Sequence, residues 1–112
     1  MKPKWSKRLR ARYVSIHLHG ECRDAYSALV DTYRNLFGEV SLGLSGLKQV
    51  KLSGNVSREV LTVRVWHTFL NNLRASVALL RCGDQPLQAH VVAVSGTVMG
   101  LEDLLRKRGY LS

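Results

Sequence analysis

At 112 residues, 46% of them hydrophobic, the chain suits one compact domain that buries roughly 65% of its unfolded surface, and no second domain is expected. Lys and Arg total 17 against 8 Asp and Glu, a formal net charge of +9, so an anionic partner is expected, nucleic acid foremost. No apolar run approaches the roughly 20 residues of a membrane span, and the basic start lacks the apolar core of a secretory signal, so a soluble, cytoplasmic protein with no membrane partner is predicted.

Residues 1–12 read as a basic arm that carries Lys2, Lys4, Lys7, Arg8, Arg10 and Arg12, with no acidic residue before Glu21. Such a segment gains little from packing and much from releasing counterions around phosphates, so its predicted role is RNA or DNA contact. Trp5 within it suits either base stacking or docking onto the domain.

The domain proper then spans residues 13–112. From 13 to 19 the chain alternates, with Val14, Ile16 and Leu18 on one face and Tyr13, Ser15, His17 and His19 on the other, which predicts a half-buried strand. Cys22, Ala25, Tyr26, Leu29, Val30, Tyr33, Leu36 and Phe37 follow at the spacing of a helical stripe ended by Gly38, and the aromatics on that stripe are expected in the core. Residues 39–46 read as a loop without the Lys and Ser/Thr of a phosphate-cradling turn. Strands over 47–53 and 58–66, joined by Gly54-Asn55, predict a hairpin whose second strand turns Leu61, Val63 and Val65 to one side and Thr62 and Arg64 to the other.

A second helix is predicted over 68–81, with Thr68 as cap, Phe69, Leu70, Leu73, Val77 and Leu80 toward the core, and Gly83 as stop. Past Pro86 the run HVVAV (90–94) predicts a strand, Ser95-Gly96-Thr97 a tight turn, and Leu101, Leu104 and Leu105 a closing helix. Gly96 is expected to supply an unusual backbone angle and Ser95 or Thr97 the cap. Glu102 and Asp103 are placed in that helix's first turn, Arg106, Lys107 and Arg108 in its last and Gly109 just beyond, as the macrodipole and cap rules favour. The basic triplet thus has a sufficient structural explanation beside any phosphate contact. Cys22 and Cys82 are too few for a disulfide framework and read as free, half-buried thiols.

The order strand, helix, strand, strand, helix, strand, helix suits an α+β fold, a ferredoxin-like split βαβ sandwich: a four-stranded antiparallel sheet, two helices packed on one face and a third helix at the C-terminus. Right-handed crossovers put the first and third strands in the middle and leave the last at an edge. That edge strand is apolar on both faces through Val91, Val92, Ala93 and Val94, so something must cover its far side. The closing helix and a protein partner are the two candidates, with Val92, Val94, Met99, Leu101, Leu104 and Leu105 as the contact residues.

This fold serves many functions, so the residues must decide. His17 and His19 share a strand face and can reach one metal ion, yet no Asp, Glu or Cys completes a ligand set by spacing, so no metal site is assigned. The acidic residues are scattered, no Ser/His/Asp order or arginine-bearing phosphate loop is evident, and independent catalysis is not expected. The predicted open sheet face lacks the glycine-and-aromatic signature of an RNA-recognition motif. Besides the arm, basic residues fall at Lys48, Lys51, Arg64, Arg106, Lys107 and Arg108, a distribution that suits holding folded RNA by phosphate and shape.

RYVSIHL (12–18), NLFGE (35–39), LTVRV (61–65) and VVAVSGT (91–97), in that order, resemble the archaeal ribonuclease P protein component 2 family, whose relatives are shared subunits of eukaryotic ribonuclease P and MRP. The Ser95-Gly96-Thr97 turn and the element from Leu36 to Glu39 are the most telling, while Trp66-His67 departs from the pattern. The resemblance implies a non-catalytic subunit that binds and stabilises the catalytic RNA which removes the 5′ leader of precursor tRNA. It implies no cofactor on the protein itself, with Mg2+ on the RNA, and a second, larger protein subunit paired with this one in a heterotetramer. The alternative is a ferredoxin-like ligand-sensing or metal-handling domain.

Overall fold

The computed structural model describes residues 9–52 and 59–111. Its main sheet has four strands: β1 (Ala11–His19), β2 (Lys48–Gln49), β3 (Val60–Trp66) and β6 (Gln88–Ser95). They are ordered β2-β3-β1-β6 and are antiparallel throughout, so β1 and β3 are central and β6 is an edge, the split βαβ arrangement expected. Leu18, Ile16 and Val14 from β1 and Leu61, Val63 and Val65 from β3 bury themselves on the inner face against α1 (Ala25–Ser45) and α2 (Leu70–Ala78), with Ala28, Leu29, Leu73 and Val77 from the helices. Period-2 burial along the strands meets period-3.6 burial along the helices, which is the physical basis of this layered core.

Several local expectations are corrected. Asp24 caps α1, its carboxylate accepting from the Ser27 N–H at 3.0 Å. Gly38 (φ 90, ψ 168) interrupts the helix, as a residue without Cβ can, but helix resumes beyond it to Ser45 where a loop was predicted. The stripe leaves the core one turn before this kink: Tyr33 is fully buried, whereas Leu36 and Phe37, expected inside, are exposed, as are Val40 and Leu44 beyond it. Tyr33 anchors the bend through its hydroxyl, 2.9 Å from that of Ser41.

The strand expected over 47–53 pairs only at Lys48 and Gln49, and the predicted Gly54-Asn55 turn lies outside the described residues. The second helix is shorter than expected, since a 3-10 turn (His67–Phe69) takes up Thr68 and the α-helix ends at Ala78. Gly83 turns a small added hairpin, β4 (Arg81–Cys82) with β5 (Gln85–Pro86). Cys22 and Cys82 are not free thiols: they form a disulfide that ties the entry of α1 to this hairpin.

The closing helix, α3 (Val98–Lys107), starts earlier than the leucines alone suggest, so Glu102 and Asp103 fall past its first turn. The Thr97 hydroxyl caps it by accepting from the Gly100 N–H at 3.0 Å, and Gly96 does not use a positive φ. At its end, Gly109 (φ 82) lets its own N–H reach the Arg106 carbonyl and the Tyr110 N–H reach that of Leu105, a Schellman closure.

This helix lies on the outer face of the sheet. Val92, Ala93, Leu101, Leu105 and Leu111 form a second buried cluster there, flanked by Tyr13, Leu52, Leu104 and Tyr110. The two-sided apolar run of β6 has a geometric cause: the register with β1 shifts between Ser15 and Ile16, pairing Ala93 and then Val91, so Val92 is an extra, bulged residue. Val92 and Ala93 therefore both point outward while Val91 and Val94 pack inward.

Candidate nucleic-acid interface

The outer face is where an RNA-recognition motif would present its stacking aromatics. Here α3 and its flanking residues close most of it. Ser15 and Thr62 are buried, satisfied by a 2.9 Å hydroxyl–hydroxyl hydrogen bond, and Tyr13 packs into the α3 cluster. A row nonetheless runs across the sheet from the β2 edge: Lys48 pairs with Arg64, Arg64 with Tyr13, and Tyr13 with Ser95. Cross-strand partners share a face, so Lys48 and Arg64 stand side by side.

Arg64 is half-buried and already engaged. Its guanidinium lies 4.9 Å from the centre of the Trp66 ring and donates to the Gly46 carbonyl at 3.1 Å, contacts that fix the planar head in place. Trp66-His67 thus has a structural role within the chain. Trp66 carries Arg64, and His67 pairs with Arg10, its N–H donating to the Arg10 carbonyl at 2.7 Å and its Nδ1 accepting from the Arg10 N–H at 3.1 Å.

The remaining candidates separate into groups. Lys2, Lys4, Lys7 and Arg8 lie outside the described residues. Arg10, Lys48 and Lys51 are exposed, Arg12 is half-buried and donates to the Ala11 carbonyl at 3.1 Å. At the end of α3, Arg106 lies 3.7 Å from Asp103, Lys107 is exposed and Arg108 donates to the Val92 carbonyl. Arg108 therefore locks the helix end to the bulge, a role beyond the dipole argument. On α1, Arg34 is held between Asp31 at 2.9 Å and Glu39 at 2.7 Å.

Of the apolar contact candidates, Val92, Leu101 and Leu105 are buried within the chain's own outer cluster, so the closing helix itself supplies the cover that the strand required. Val94 packs against the inner core and Leu104 flanks the outer one, both partly buried, while Met99 is 76% exposed. An open groove of ≈ 890 Å3 also runs between α1 and the β4-β5 hairpin, lined by Thr32, Leu36, Leu79 and Pro86 among others. One constellation escaped the sequence: His90 of β6 joins His17 and His19 on the outer face. No local spacing signals it, because its partners are on another strand.

Fold and surface are those of a basic α+β domain of the ferredoxin-like kind. The sequence profile of the Rpp14/Pop5 family matches residues 11–105, and the chain belongs to that family. A chain in the cryo-EM structure of yeast ribonuclease MRP is similar in fold, with a TM-score of 0.55 at 14% identity over 89% of this chain and 92% of that one. No curated protein sequence matches at a significant level. The family comprises protein subunits of the ribonuclease P and MRP ribonucleoproteins, so the chain is an accessory, non-catalytic protein.

Proposed function

We propose that the chain is a component 2-type subunit of an archaeal ribonuclease P, which binds and stabilises the catalytic RNA that removes the 5′ leader of precursor tRNA. Membership of the Rpp14/Pop5 family over residues 11–105 is the observation that carries this reading. The net charge of +9 supports RNA contact, with the N-terminal cations, Arg10, Lys48, Lys51, Arg106 and Lys107 as phosphate ligands. Phosphate contacts of this kind position an RNA fold without reading its sequence. Mg2+ belongs to the RNA, where it supplies the metal-assisted chemistry.

The second, larger protein subunit pairs with this one in a heterotetramer. Met99, exposed on α3, offers it one apolar contact, and α1 on either side of its kink offers Leu36, Phe37, Val40 and Leu44. A soluble monomer gains nothing from a row of this kind, whereas an interface does. We place the protein in the cytoplasm. Disulfides are rare there, with intracellular proteins of hyperthermophiles the exception, so the Cys22–Cys82 bond suits an archaeal cell of that type.

The test is a titration of structured RNA at several salt concentrations. Six or more phosphate contacts make log affinity fall against log salt with a slope near −5 for duplex-like RNA, estimated as roughly 0.9 per contact. A flat response would overturn the RNA reading.

A further inference from the structure

We propose that His17, His19 and His90 form a binding site for one divalent transition-metal ion, with Zn2+ the best-matched species. Their ligating nitrogens lie within 4.8 Å of one another. The rings form a closed set, with centroids 4.3 Å apart for His17 and His19, 5.5 Å for His17 and His90, and 4.8 Å for His19 and His90. Three of the chain's four histidines converge here, from two strands.

The convergence depends on the bulge. Ala93 points outward, and uninterrupted alternation puts residue 90 on the opposite face from residue 93. The extra residue at Val92 reverses that phase, so His90 pairs with His17 and shares its outward face. Bulges recur where a strand must re-aim a side chain beside a functional site.

The chemistry fits a borderline metal. His19 Nε2 and His90 Nδ1 are 2.8 Å apart in a hydrogen bond, so one of the two nitrogens offers its lone pair toward the other. That is the form in which imidazole ligates a metal. Tetrahedral Zn–N bonds of roughly 2.0–2.1 Å place ligand nitrogens about 3.4 Å apart. The His19–His90 pair, 2.8 Å apart, must therefore open by about 0.6 Å and His17 close toward it. His19 and His90 are exposed, so rotamer adjustment suffices.

Tyr110, whose ring lies 5.4 Å from that of His17, covers one flank of the cluster. Three protein nitrogens leave a fourth position for water or an anionic oxygen, as in sites of three histidines. Bound there, the ion cross-links β6 to β1 at the end of the sheet. The inference is independent of RNA binding, because all three ligands come from this chain.

The experiment uses the full chain, purified without a polyhistidine tag and free of RNA, titrated with Co2+ as a spectroscopic probe and then with Zn2+. One equivalent per chain is expected, with visible bands of a four- or five-coordinate Co2+ that Zn2+ displaces. His90→Gln and His19→Gln each weaken binding at least ten-fold, whereas His67→Gln, outside the cluster, leaves it unchanged. Absence of saturable binding, or binding that survives His90→Gln, overturns the site. As a check that needs no variant, Zn2+ should shift the imidazole NMR signals of His17, His19 and His90 together. Shifts confined to His67, or none, would equally refute it.

Discussion

Cys22 and Cys82 close a loop across a sequence separation of 60, and the bond joins the entry of α1 to the small hairpin that follows α2. In the chain-entropy account, closing a loop of that length removes about 4 kcal/mol of unfolded-state freedom. Reduction, or Cys82→Ser, is expected to lower the denaturant midpoint by a corresponding amount without changing the native secondary structure. Chemical denaturation with and without a phosphine reductant checks this, and superimposable curves would show that the bond adds no stability. Two cysteines with no motif spacing carry no local signal of pairing, and only the approach of the hairpin to the start of α1 brings them together.

Among the elements, α3 decides the most. Its apolar side buries Leu101 and Leu105 completely against Val92 and Ala93, and this closes the sheet face that other folds of this kind leave to ligands. Leu105→Ala is expected to cost about 2–5 kcal/mol, the range for a large-to-small change at a fully buried site. Met99→Ala, at a position 76% exposed, should cost under about 0.5 kcal/mol in the isolated chain yet weaken partner binding. Thermal melts of both variants and pull-down of the second subunit separate the two roles. α1 shows the converse. Its stripe is legible throughout, but only the part up to Tyr33 is covered by the core, and Leu36 and Phe37 continue it onto the surface, because a periodic pattern gives the face of a helix and not how far its neighbours reach along it.

For the whole molecule, charge is the governing property. Removing residues 1–8 takes away Lys2, Lys4, Lys7 and Arg8 but spares Arg10, whose backbone pairs with His67. If all four cations contact phosphate, the salt slope should become shallower by roughly 3–4. The same truncation should leave the melting temperature unchanged. An unaltered slope would remove the arm from the RNA interface, and a failure to fold would show that the arm packs against the domain.

Alternation in residues 13–19 and 61–65, the stripe from Ala25 to Tyr33, the capping of α3 and the excess of basic residues are local or compositional properties, and they carried the layered α+β fold and the family resemblance. The bulge at Val92, the burial of Leu101 and Leu105 within the chain, the engagement of Arg64 and Arg108, the disulfide and the meeting of His90 with His17 were decided by the tertiary structure alone. Each depends on which strand or helix lies next to which and in what register. Spacing along the chain encodes the face a residue presents within its own element, but the partner across the sheet is set by the packing of elements many residues apart.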